Sequence, residues 1–241
     1  MCFYCEEGYG EVSIALTSDN IDVWTPGGVQ PEPDTSGYTP YVKSTSAADT
    51  AAGTGARKVM VHYLDTDGVA HMGWATMNGV SEVAFTTKDG GGSVITNCMF
   101  VQNHHNVMLG SGGVAAGDVD VVAGTSGPVV SRVPEAGNFA LSTMRQVPVG
   151  HKLAIYGWHA SATAGNTKEA VVRVRASQMG GEVFPGVYHF LDTVRLKDSS
   201  SGWLPFAVPK IIPALATVKI STWTTGAISV HSTWRGRLER A

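Results

Sequence analysis

Ser46-Ala47-Ala48-Asp49-Thr50-Ala51-Ala52-Gly53-Thr54-Gly55-Ala56-Arg57 runs straight into the alternating segment Lys58-Val59-Met60-Val61-His62-Tyr63-Leu64-Asp65. This junction decides the fold class. Small residues and glycines make a loop, and the alternation that follows has the two-residue period of a β-strand. Asp65-Thr66-Asp67-Gly68 then supplies turn chemistry, and a second strand follows at Val69. The unit is a β-hairpin, and no catalytic residue pattern lies on it.

Outward from the hairpin the same style continues. Strands are expected over 58–64, 69–77, 82–87 and 94–101, separated by Asp-Gly, Asn-Gly and Asp89-Gly90-Gly91-Gly92. Those residues supply the positive backbone angles of tight turns. His104-His105-Asn106 through Gly113 is expected as a loop and residues 117–124 as a strand. Upstream, residues 1–20 mix aromatics, acids and small residues without a period, which predicts an irregular arm. Ile21-Asp22-Val23-Trp24 is a short strand stopped by Thr25-Pro26-Gly27-Gly28, and Pro31, Pro33 and Pro40 predict a loop or edge segment over 30–41.

In the second half, Lys152 to Ala160 puts Leu153 and Ile155 on one face and Tyr156 and Trp158 on the other. Ala170 to Ala176 puts Val172 and Val174 on one face, leaving Val171, Arg173 and Arg175 as the other, with the arginines as an exposed basic ladder. Strands over 188–196, 204–208 and 216–222 follow. The last, 227–238, has Ile228, Val230, Trp234 and Leu238 on one side. No segment carries a convincing helical period. The expectation is an all-β protein, a jelly-roll-like β-sandwich organised as an N-terminal arm over 1–20, a first β domain over 21–130 and a second β-sandwich domain over 131–241.

Composition narrows the function classes. Only 15% of residues are charged against 43% hydrophobic, with 29 Gly and 11 Pro, so Ser, Thr, Gly and Ala must finish the surfaces, as many short strands require. The net charge of −3 offers no attraction to a nucleic-acid backbone or an anionic membrane, and neither partner is expected. Three cysteines, Cys2, Cys5 and Cys98, suggest no disulfide framework, and Cys2-Phe3-Tyr4-Cys5 lacks the second half of a zinc site. Glu6 and Glu7 stand where a secretory signal would be basic and then apolar, so synthesis in the cytoplasm without a signal peptide is expected.

Each catalytic pattern falls short. Asp65-Thr66-Asp67-Gly68 lacks the downstream glutamate of a calcium loop, and Gly53-Thr54-Gly55-Ala56-Arg57 opens a strand where a phosphate cradle needs a helix. Gly110-Ser111-Gly112 is too compact for a nucleophile elbow, and the acids are scattered. His104-His105, His159 and His231 read as ordinary hydrogen-bonded or solvated imidazoles. No catalytic, cofactor or metal residue is therefore assigned. The tryptophans could make a sugar platform, but most fall inside strands where core burial explains them better. Trp203, between Ser199-Ser200-Ser201-Gly202 and Pro205, is the exception, near a loop. Trp24, Trp203, Arg173 and Arg175 are the interface candidates.

Five segments carry a family resemblance: Ile21-Asp22-Val23-Trp24-Thr25-Pro26-Gly27-Gly28, Asp49 through Arg57, Gly117-Asp118-Val119, Val147-Pro148-Val149-Gly150-His151-Lys152-Leu153-Ala154, and Phe206-Ala207-Val208-Pro209-Lys210-Ile211-Ile212-Pro213. With these the chain resembles tailed-bacteriophage virion structural proteins from Ile21 to its last strand, while residues 1–9 depart from that pattern. The resemblance implies a non-enzymatic virion component, with no cofactor. Within that class it points to a capsid decoration or cement protein that binds the major capsid protein shell, homo-oligomeric with a trimer favoured, on the capsid surface. The alternative is a tail adaptor or fibre component contacting other tail proteins or a host glycan.

Overall fold

In a computed structural model of the chain, residues 4–14, 18–164, 168–179 and 182–241 are described. They form two compact units: Met1–Gln30 with Ser142–Ala241, and Pro31–Leu141. The first unit opens with β1 (Tyr4–Ile14) and β2 (Ser18–Asp22). The second holds β3 (Pro40–Ser44), β4 (Ala56–Asp65), β5 (Ala70–Thr76), β6 (Val83–Ala84), β7 (Cys98–Leu109), β8 (Val119–Ala123) and β9 (Val129–Val133). The first unit resumes with β10 (Arg145–Gln146), β11 (His151–Ala164), β12 (Glu169–Ala176), β13 (Gln178–Met179), β14 (Glu182–Val183), β15 (His189–Lys197), β16 (Ser200–Ile212), β17 (Thr217–Thr224) and β18 (Ile228–Arg240). Among the described residues no helix is long and apolar enough to cross a membrane.

The first unit is a jelly roll. Its sheets run β1-β18-β11-β16 and β10-β17-β12-β15, with β2 also on β17. All pairs are antiparallel: β1 with β18, β2 with β17, β11 with β16 and β12 with β15. The first long strand meets the last, the second meets the next to last, and so on inward. That is one long folded-over hairpin whose successive pairs alternate between two sheets, the double Greek-key arrangement of jelly rolls. Leu153, Ile155, Trp158, Val172, Val174, Val218, Ile220, Val230 and Trp234 fill the space between the sheets. Trp158 and Trp234 are direct cross-strand partners. Their indole N–H groups donate to Asp192 Oδ2 (2.9 Å) and to the Thr143 carbonyl (2.7 Å), so the rings are buried without an orphaned donor.

The second unit is a smaller sandwich with sheets β6-β3-β8-β9 and β5-β4-β7. Val42, Val59, Val61, Tyr63, Phe85, Val119, Val121 and Val133 form its core. The expected hairpin is in place, with β4 against β5 and the Gly68 N–H donating to the Asp65 carbonyl at 2.8 Å, where Gly68 takes a φ of 75°.

Several expectations are corrected. Residues 4–14 are not an irregular arm but β1, paired with β18 from Tyr4↔Leu238 to Ile14↔Ile228; residues 1–3 and 15–17 of the expected arm lie outside the described residues. A division near residue 130 does not match the units, because residues before Gln30 complete the sheets of the C-terminal unit. His104–Leu109 belongs to β7 instead of a loop, and Ser200–Trp203 belongs to β16. Ile155 and Trp158 also share the core, because the register of β11 shifts between Ile155 and Gly157. This bulge at Tyr156 adds one residue and reverses the alternation beyond it.

Candidate functional site

The predicted interface residues fall into different environments. Trp24 is only 3% exposed, and its indole donates to the Gly28 carbonyl at 3.3 Å, so its ring is not at the surface. Arg175 is not an exposed rung of a ladder. Its guanidinium lies 3.6 Å from Asp22 and 5.7 Å from the Tyr188 ring centroid. Lys219 donates to the same Asp22 carboxylate at 3.0 Å and sits 4.2 Å from that ring. Burial pushes the Asp22 carboxyl up, while the Lys219 ammonium pulls the other way. The backbone N–H of Gln30 completes the cluster at 2.9 Å, tying β2, β12 and β17 together. Arg173 instead lies 5.3 Å from the centroid of Phe190.

Exposed apolar side chains occur on and beside both edge strands of the jelly roll. β15 and β16 are the last strands of their sheets and touch each other, so both edges lie on one flank. Phe190 is 61% and Val208 73% exposed there, with Val187 and Ile211 also open. Pro205 and Pro209 interrupt β16. Proline has no N–H to offer, so this edge is guarded against strand addition, and a partner must meet it through side chains.

The outer face of β1-β18-β11-β16 has a different character. Register places Tyr9, Thr233, His159 and Trp203 in one row across the four strands. Glu7, Arg235, Gly157 and Pro205 form the next row, and Glu11, His231, Ser161 and Ser201 the row on the other side. Tyr9 and Trp203, at the ends of the central row, are 44% and 47% exposed. Glu7 pairs with Arg235 and Glu11 with His231, each at 3.2 Å. Arg235 also lies 5.9 Å from the Trp203 ring centroid.

In the second unit the histidine pair separates by environment. His104 is fully buried, bonded through Nδ1 to Ser131 Oγ (2.8 Å) and through Nε2 to the Val119 carbonyl (3.1 Å). Burial lowers its pKa to about 4, against the hydrogen bond to Val119. His105 stacks between His62 and Phe139, at centroid distances of 5.5 and 5.2 Å. Burial pushes the Cys98 thiol up to about 12, leaving it inert. Among the described residues no three His, Cys, Asp or Glu side chains gather as a metal site. Asp49, quoted above only as part of a motif, is a buried structural hub. Its Oδ1 accepts from the N–H groups of Ala56 (2.5 Å) and Ala116 (3.0 Å), and its Oδ2 from Ser44 Oγ (2.6 Å) and the Gly117 N–H (3.1 Å).

Among known proteins, no family model matches the chain, and no curated protein matches significantly. Several solved structures of infectious bursal disease virus and its particles are weakly similar. The structure of infectious bursal disease virus, Gx strain, is 10% identical over 98% of this chain and 71% of that one, with a TM-score of 0.28. The VP2 protein of the same virus in derived T=1 particles is 8% identical over 97% and 69%, with a TM-score of 0.27. Scores this low establish no common fold, and the jelly-roll assignment stands on strand pairing alone.

Sequence reasoning singled out Trp203 from its serine-rich flank. Tyr9 and Phe190 carry no such signal, and Arg235 reads only as one of the outward positions of the last strand, because their significance comes from cross-strand neighbours far away in the chain.

Proposed function

We propose that the protein is a structural component of a virus particle, acting by binding other subunits and not by turnover. The observation that carries this reading is the apolar flank at β15 and β16. Phe190 and Val208 stand in water at the free edges of a fold whose interior is already filled. Leaving such side chains exposed is unfavourable by about 25 cal/mol per Å² of apolar surface, which a partner subunit recovers on binding. The two prolines leave this as side-chain packing without strand exchange. The resemblance to tailed-bacteriophage virion proteins supports the same reading, as does a jelly-roll architecture.

Within the particle the role is that of a decoration or cement protein seated on the major capsid protein shell, as a homo-oligomer with three copies favoured. Copies joined in this way bind together through effective concentration even where one patch is weak. Arg173, stacked by Phe190, belongs to the contact.

Purified heads and detached tails of the virus test this directly. Quantitative mass spectrometry should find the chain on heads in copy numbers comparable to the shell protein, and stripped heads should rebind it. Phe190→Asp with Val208→Asp should abolish rebinding without lowering the melting temperature. Occurrence only on tails, in a few copies, would replace the cement role with the adaptor or fibre role, and full rebinding by the double variant would remove this flank from the contact.

A further inference from the structure

The outer face of β1-β18-β11-β16 is chemically unlike the apolar flank. Trp203 lies against Gly157, where a Cβ would come 2.8 Å from its Cζ2, so the missing side chain admits the indole, and the residue stays 47% exposed. Arg235 braces the same ring. Three strand spacings away, about 14 Å, Tyr9 offers a second exposed ring in the same row. Gly8 and Gly10 on the opposite face of β1 lie against Trp234 and the Val23 carbonyl, which turns Glu7, Tyr9 and Glu11 outward. Hydroxyl, imidazole, carboxylate and guanidinium groups occupy the space between the two aromatics.

Protein interfaces concentrate apolar area at their centre and exclude charge from it. Here the central positions are hydroxyls, histidines and ion pairs, flanked by two separate aromatic rings. Pyranose sugars match that distribution: their C–H faces stack on flat aromatic rings, and their rims carry hydroxyls that both donate and accept hydrogen bonds. Glu7 is balanced by Arg235, and Glu11 lies 3.2 Å from His231, so no cluster of cationic groups is present to select an acidic ligand.

We propose that this face binds a neutral oligosaccharide of pyranose sugars, with Trp203 and Tyr9 each stacking on one sugar ring and Glu7, Arg235, His159 and His231 hydrogen-bonding to hydroxyls between them. The site does not depend on a role in a virus particle, and its binding residues are distinct from Phe190, Val208 and Arg173 of the flank proposed to bind shell subunits.

The test uses the intact chain on an array of neutral gluco-, galacto- and manno-oligosaccharides, with sialylated and uronic-acid glycans alongside, and then titration of the best ligand. A neutral oligosaccharide should bind, with little change on raising the salt concentration. Trp203→Ala should weaken binding by roughly tenfold or more and Tyr9→Ala by several-fold, while Trp203→Phe, which keeps a ring, retains part of it. Val208→Asp should bind sugar normally while losing head binding, so the two proposals fail separately. The inference is overturned if no neutral saccharide binds, if acidic glycans bind instead in a salt-dependent way, or if both Trp203 variants bind at full strength.

Discussion

At the residue scale, stability rests on buried polar groups that the alternation of strands does not reveal. Asp49 joins the loop before β4 to the loop before β8 through four accepted hydrogen bonds. Asp49→Asn would turn one oxygen into a donor facing two donors, and is expected to cost about 3 kcal/mol, measured by urea unfolding. Gly55 has the same origin: a Cβ there would lie 2.0 Å from Asp49 Oδ1 and 2.8 Å from the Ala116 nitrogen. Gly55→Ala should therefore destabilise by roughly 1–3 kcal/mol, although it raises local chain stiffness. His104 adds a pH dependence. Its folded pKa of about 4 lies below the ordinary 6.5, so between these values the unfolded chain binds a proton that the folded chain refuses. Stability should fall as pH drops through that window, by on the order of 3 kcal/mol in full. Urea midpoints at both ends of the window, for the wild type and His104→Gln, measure this term as the difference between their pH slopes.

At the element scale, β11 shows where a period misleads. Strict alternation assigns Ile155 and Trp158 to opposite faces, yet both are in the core because the bulge at Tyr156 resets the phase. The mark of it in the sequence is Gly157, an isolated glycine beside the bulge, which the alternation by itself does not reveal. The consequence is testable by contrast. Tyr156→Ala should change stability by no more than about 0.5 kcal/mol, and deleting Tyr156, the unpaired extra residue, leaves Trp158 two places from Ile155 on the same face and should still give folded protein, whereas deleting Ala154, where the ladder is regular, puts Leu153 and Ile155 on opposite faces and should prevent folding, read from soluble yield and near-ultraviolet circular dichroism. β1 was missed for a related reason. Its inward positions include Gly8 and Gly10, which make room for Trp234 and a backbone carbonyl, so the apolar half of the alternation is reduced to Val12 and Ile14 at its end. By contrast, β4, β12 and β18 were legible because large or branched apolar residues, such as Val59, Val61, Val172, Val174, Val230 and Trp234, hold inward positions at the strand period. Removing residues 1–14 therefore strips a full strand from β18 and should abolish cooperative melting, an outcome a dispensable arm would not produce.

At the scale of the whole molecule, the all-β class followed from turn residues and alternation, but the division of the chain did not. Composition is read in order along the sequence, while the first unit is built from two separated segments. Only pairing shows that β1 and β2 belong with β17 and β18. The junction itself explains how a jelly roll tolerates a long insertion. Ser142 Oγ donates to Gln30 Oε1 at 2.6 Å and the Thr143 N–H to the Val23 carbonyl at 3.2 Å, so the chain leaves and re-enters the first unit at neighbouring points. Closing so short a gap costs little chain entropy, and the cost grows only slowly with the length inserted. Residues Pro31–Leu141 have their own two sheets and their own apolar core. Expressed alone, this segment should unfold cooperatively with heat. The complementary chain, with about four glycine and serine residues joining Gln30 to Ser142, should do the same and keep the sugar-binding face intact. Non-cooperative melting of both pieces would mean that neither core is sufficient by itself and that the insertion is an obligatory part of one folding unit.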